Sequence, residues 1–182
     1  MEADWEIQVG GEAPVIEAQW PGFVDLRLHP ERAWQLPESV EFPAMAEALG
    51  SLNAAASPVW TSKCDIWPIV DLAQFDADEL DAPPESAAHA MGCYIDLLSK
   101  GDGQWVKPAK ADADCKRLCS LLHAVALRCC RLDLVIRRAF INRDLTGLGI
   151  TAYLTACGPT EAEAKTVLQE ALAAFADAFC DH

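Results

Sequence analysis

The stretch RLDLVIRRAFINRDLTGLGITAYLTAC, residues 131–157, decides how the chain is read. Over 131–140, Leu132, Leu134 and Ile136 alternate with Arg131, Asp133, Val135 and Arg137. Over 148–157, Ile150, Ala152 and Leu154 alternate with Thr151, Tyr153 and Thr155. A period of two sends successive side chains to opposite faces of a sheet. Both segments are therefore strands with one apolar face, joined by a turn around NRDLTG, and such a hairpin is antiparallel.

Working outward, CYIDLL (93–98) is a further strand closed by the turn KGDG. A helix is predicted from about Asp112 to Val125, and a last one from Thr160 to about Phe179. Thr160 and Glu163 are spaced as a capping box, in which each side chain satisfies an orphan backbone N–H. PVWTSKCDIWPIV (58–70) is extended, and Pro68 demotes it to an edge strand, or marks a break there, because proline cannot donate to a ladder. An earlier helix begins near Glu41, with Pro43 in its first turn and Met45, Ala48, Leu49 and Leu52 at helical spacing. WEIQV (5–9) and VIEAQW (15–20) suggest an N-terminal hairpin over about 1–22, and FVDLRL (23–28) another short strand. Residues 73–90 form an acidic excursion containing a Pro-Pro pair.

This string is expected to make a single α+β domain, a two-layer sandwich with a mainly antiparallel sheet and about three helices on one face. Strand–strand–helix recurs three times, at the level of elements only. Ferredoxin-like order is contained in the run from strand 23–28 to strand 131–140, an analogy of fold that implies no function.

The totals narrow the function. The 28 acidic and 14 basic residues of the 182-residue chain leave a net charge of −14, a field that repels nucleic acid and anionic lipid. No apolar run approaches the roughly 18 residues of a membrane span, and the N-terminus lacks the basic and apolar regions of a secretory signal. A cytoplasmic setting is expected, in which the eight cysteines remain thiols. Four of them crowd into CKRLCSLLHAVALRCC (115–130). On a helix, Leu118, Leu121, Leu122 and Val125 form the core stripe, Cys115 lies at its edge, Cys119 further round and His123 opposite, toward water. No CxxC pair occurs, and Cys115, Cys119 and His123 have no evident fourth ligand, so structural thiols are expected rather than a metal site. Cys130 shares parity with Leu132 and should be buried, Cys129 not.

Other chemistry is sparse. The nucleophile elbow, P-loop, dinucleotide turn and HExxH motif are all absent. DADELD (76–81) lacks the sixth-position glycine and twelfth-position glutamate of a calcium loop. The four histidines are scattered, and the six tryptophans all precede the second helix. No cofactor is implied.

What remains is the sheet face away from the helices. Parity places Tyr94 and Asp96, Arg131, Asp133 and Arg137, and Thr151 and Tyr153 there, with Asp25 from the 23–28 segment. Aspartate is disfavoured in strands, yet three expected strands carry one centrally beside aromatic or aliphatic residues. Charges, tyrosines and apolar groups so mixed suit a partner or ligand surface. The first expectation is therefore a non-enzymatic binding or assembly module acting through this face, toward a small ligand or a second copy of itself. An enzyme with a loop-built site, using 73–90 as a lid, is the second reading; a thiol or metal protein built on Cys115 and Cys119 is the third.

Overall fold

The computed structural model describes residues 1–182 except 11–12, 18–22, 72–75, 102–104, 142–143 and 181–182. Its elements in chain order are β1 (Glu2–Ile7), β2 (Val15–Glu17), α1 (Pro37–Glu41), α2 (Pro43–Asn53), β3 (Val59–Ile69), β4 (His89–Ser99), α3 (Pro108–His123), β5 (Cys130–Ile141), β6 (Asp144–Gly158) and α4 (Glu161–Cys180). The class is α+β, with one mixed six-stranded sheet ordered β1-β5-β6-β4-β3 and β2 pairing β5 beside β1. Among the described residues no helix is long and apolar enough to cross a membrane.

The hairpins β3–β4 and β5–β6 carry the fold, each followed by a helix, α3 and α4 respectively. Their second strands, β4 and β6, pair antiparallel at the centre of the sheet. This order, β5-β6-β4-β3, relates the two strand–strand–helix units by an approximate twofold axis through the middle of the sheet. The odd-numbered apolar residues of β4 (Met91, Cys93, Ile95, Leu97) and the even-numbered ones of β5 and β6 share one core with α2, α3 and α4. Phe175 and Phe179 of α4 meet edge to face there, with ring centroids 5.3 Å apart. Each such fully buried side chain contributes about 1.5–3 kcal/mol.

Several expectations hold. β3, which contains Pro68, lies at the edge and continues through the proline without a break. α2 opens on Pro43 and buries Met45, Ala48, Leu49 and Leu52. At the start of α4, Thr160 Oγ1 accepts from the Glu163 N–H at 3.2 Å, but Glu163 then takes the Thr160 hydroxyl at 2.7 Å rather than a backbone N–H.

Others are corrected. The sheet is mixed, because β1 and β2 do not pair with each other as a hairpin; both run parallel to β5. Contacts remote in sequence draw β1 there: Trp5 Nε1 donates to Asp112 at 2.8 Å, the Ala3 N–H to His123 Nε2 at 3.3 Å, and the N-terminal amine to the Val125 carbonyl at 2.6 Å. The part of VIEAQW beyond Glu17 lies outside the described residues. Residues 23–28 are a turn, not a strand, since the Asp25 carboxylate captures both the Arg27 N–H (3.0 Å) and its guanidinium. Without that strand, the ferredoxin-like order disappears. α3 begins at Pro108, and its buried stripe is Ala111, Cys115, Leu118, Cys119 and Leu122; Leu121 is 43 % exposed. Cys119 packs as a small hydrophobe and turns the helix further than leucine spacing alone indicates.

The sheet curls at one end. β2 bonds to β5 on one side, while its Ile16 carbonyl accepts the Ser62 hydroxyl of β3, the opposite edge strand. Edges four strands apart can meet only if the sheet bends, and two bulges, at Thr61/Cys64 and Ala139/Phe140, supply the bend. Val15 then drops onto Gly149, where an added Cβ would stand 2.8 Å from Val15 and 2.9 Å from the Leu97 carbonyl. Gly149→Ala should therefore destabilise the protein by about 1–3 kcal/mol through overpacking against backbone. Gly50→Ala, in open space on α2, should stabilise it by about 0.5–1 kcal/mol. Urea unfolding of the two variants checks both signs.

Candidate functional site

The sheet face away from the helices is covered at its two ends and open between them. At the curled end, Val15, Trp60, Leu98 and Ala139 form a second small core, with Arg27 stacked 4.6 Å over the Trp60 ring and paired with Glu17 at 3.1 Å. At the other end, Leu80 and Ala82 of the acidic excursion pack on Ala90 and Cys157. Arg131 ties the excursion down, 3.6 Å from Glu79 and 2.8 Å from Asp133. The strip between these covers is a trough.

Its floor follows from the pairing register. Asp65 of β3, Tyr94 of β4, Tyr153 of β6, Asp133 of β5 and Asp4 of β1 stand in one row across five strands. The four central residues read Asp-Tyr-Tyr-Asp, a palindrome about the approximate twofold axis. The tyrosine rings are 6.1 Å apart, and Trp67 continues the aromatic line 6.3 Å beyond Tyr94. In the next row Asp96, only 7 % exposed, accepts the Thr151 hydroxyl at 2.6 Å. Parity sets Glu2 and Glu6 on the same face, so six carboxylates (Glu2, Asp4, Glu6, Asp65, Asp96, Asp133) stand against Arg131, Arg137 and, from the β3 bulge, Lys63.

The two halves of the palindrome differ in how they are compensated. On the β5–β6 side, Arg137 lies 5.5 Å from the Tyr153 ring and donates to its hydroxyl at 3.2 Å, while Arg131 pairs with Asp133. On the β3–β4 side, Asp65 accepts its neighbour's Ile66 N–H, and no arginine stands there; the positive charge beside this half is Lys63, which acts together with Arg137 on Asp96. Burial, with Asp96 and Asp65 adding negative potential, pushes the Tyr94 phenol up to about 12. Burial likewise raises the carboxyls of Asp96 and Asp133 above the ordinary range, against the pull of the Thr151 and Arg131 hydrogen bonds.

A cavity of about 730 Å³ adjoins the Tyr94–Asp65 half. It opens where the β3 bulge lifts the strand from its register, and Tyr94 and Lys63 line it beside the apolar Phe23, Leu26, Leu36 and Leu49. Its size is that of a small-molecule site.

Of the residues expected from sequence, the register brings Tyr94, Asp96, Arg131, Asp133, Arg137, Thr151 and Tyr153 onto this face. Asp25 does not join them; it stands in the turn, holding Arg27 at 2.5 Å near the curled end. Val135 and Leu98, expected outside, are covered at 4 % and 2 % exposure. Sequence reasoning missed Asp65 and Trp67, which alternation within 58–70 could have found, and the cavity, which depends on a bulge no local pattern announces. Cys115 and Cys119 lie in the core, with burial pushing each thiol up to about 12. Among the described residues no three His, Cys, Asp or Glu side chains are placed to hold a metal ion. No family model, no curated protein and no solved structure matches this chain.

The raised carboxyl of Asp96 has a measurable consequence. A carboxyl whose folded pKa exceeds its unfolded value contributes stability below the unfolded pKa and loses it as pH rises through the folded one. Asp96→Asn keeps an acceptor for Thr151 without the buried charge. Its melting temperature should exceed that of the parent by a few degrees at neutral pH, and the two should converge near pH 4, as calorimetry across that range would show.

Proposed function

We propose that this chain is a non-enzymatic binding module whose sheet face takes a small organic cation, seated on the Tyr94–Asp65 half of the trough. The observation that carries this reading is the unequal compensation of the palindrome. The Tyr153–Asp133 half holds two arginines against its ring and carboxylate, whereas the equivalent half has only Lys63, on the wall of the cavity it borders. An ammonium group over Tyr94 would meet the negative face of the ring, an interaction worth about 0.5–2 kcal/mol. Asp65 and Asp96 would supply the counter-charge, and the apolar cavity wall would receive the alkyl groups. The net charge of −14 draws cations toward the whole molecule and discourages anionic ligands. The reading relies on the helices forming one layer and leaving this face of the other to the ligand.

Binding of choline and of its uncharged isostere 3,3-dimethylbutan-1-ol, compared by calorimetric titration, tests the proposal. Choline should bind and the alcohol should not. The affinity should fall with added salt, and also with pH as Asp96 becomes protonated. Tyr94→Ala and Asp65→Asn should each weaken binding by about tenfold, or about 1.4 kcal/mol. Equal binding of both probes, or indifference to both substitutions, overturns it. A dimer that dissociates on Tyr153→Ala replacement would assign the face to a second copy of the chain instead.

A further inference from the structure

Cys129 and Cys157 are the first residues beyond the regular β5–β6 ladder, which starts at the pair Cys130 and Ala156. The Cys157 N–H donates to the Cys129 carbonyl at 2.9 Å, so the two cysteines face each other across the strands. Opposed residues of an antiparallel pair have Cα atoms about 4.5–5.5 Å apart, inside the roughly 4.4–6.8 Å that a disulfide spans. Both pack in the small cluster beneath the excursion. Two further observations bear on this pair, and all the described cysteines are thiols. Cys129 has φ 61°, a left-handed conformation that costs a residue with a Cβ about 1–2 kcal/mol. It is also half-exposed, whereas Cys157 is fully buried. The accessible cysteine thus stands opposite the inaccessible one at the end of the ladder. Cys130, though adjacent, points to the helix-covered face with Leu132.

We propose that Cys129 and Cys157 form a dithiol–disulfide couple, oxidised by hydroperoxides. The Cys129 thiolate attacks a peroxide oxygen; the O–O bond breaks, hydroxide leaves, and Cys129 becomes a sulfenic acid. The sulfur of Cys157 then attacks the Cys129 sulfur. The S–O bond breaks, and the departing hydroxide takes the Cys157 proton as water. Two thiols and one hydrogen peroxide thus give one disulfide and two waters, with two electrons passing to the peroxide. The product pins the start of β5 to the end of β6 under the excursion, whose Asp81 holds Arg128, the neighbour of Cys129, at 2.7 Å.

The test is treatment of the folded full-length protein with a slight excess of hydrogen peroxide, followed by alkylation and non-reducing tryptic mapping. Cleavage after Arg128, Arg131, Arg143 and Lys165 gives the peptides 129–131 and 144–165. They should appear joined, lighter by one hydrogen molecule than their sum, and separate on reduction. Cys129→Ser should abolish the joined species, while Cys130→Ser should keep it. Cys129 is a half-exposed position that serine fills without strain beyond the parent's, and the parent map is decisive in any case. Failure of the two peptides to join in the parent, or a joined species that survives Cys129→Ser and is lost with Cys130→Ser, overturns the assignment.

Discussion

The antiparallel pairing of β4 with β6, from His89 opposite Gly158 to Leu97 opposite Ile150, is the contact on which the other features of the molecule depend. It joins two hairpin-and-helix units that would otherwise share only their helices. On one side it sets Cys93, Ile95 and Leu97 beside Ile150, Ala152 and Leu154, and these fully buried residues form the surface on which α4 packs. On the other side it sets Tyr94 directly against Tyr153. A one-residue slip of this register would exchange the two sets, placing tyrosines and aspartates in the core and leucines in water. The register is thus fixed by the core face, and the polar face inherits its order from it.

That polar face could not remain bare along its whole length, because Leu98, Trp60 and Ala139 stand on it too. The chain covers them with β2, and the sheet must curl for β2 to reach β3 as well as β5. Two bulges provide the curvature, and Gly149, with no Cβ, leaves room for Val15. The bulge in β3 has a second effect. By displacing Ser62 and Lys63 from the ladder it opens the cavity beside Tyr94. The device that closes one end of the face therefore creates a recess in its middle.

What the sequence made legible follows from range. Residues 131–157 declared their strands and faces because alternation is local, and the seven face residues of β4, β5 and β6 were found by the same parity. Pro68 marked an edge for a reason internal to proline. The partner of β1 was not legible, since it depends on Trp5 finding Asp112 and the N-terminus finding Val125, contacts more than a hundred residues apart. Residues 23–28 alternate like a strand, but the Asp25 carboxylate offered Arg27 a closer partner than any ladder. The helical stripe of α3 was misplaced because cysteine was weighed below leucine, whereas in this core Cys119 is the more buried of the two: 1 % against 43 % for Leu121.

Aspartate at the centre of a strand is costly, and here it recurs at equivalent positions of two units. A repeat inherited for packing alone would have kept the alternating leucines and isoleucines and left the polar face free to vary with solvent. Instead Asp65 and Asp133 flank the tyrosine pair in the same register. The second unit offsets its own negative charge with Arg131 and Arg137. The first has only Lys63, on the wall of the adjoining recess, with Asp96 protected from water and its carboxyl raised by burial. Uncompensated charge in a partly dry place destabilises the free protein. On the proposed reading the same charge would become favourable when a cation arrived, because the carboxylates are already positioned and would lose little freedom on binding.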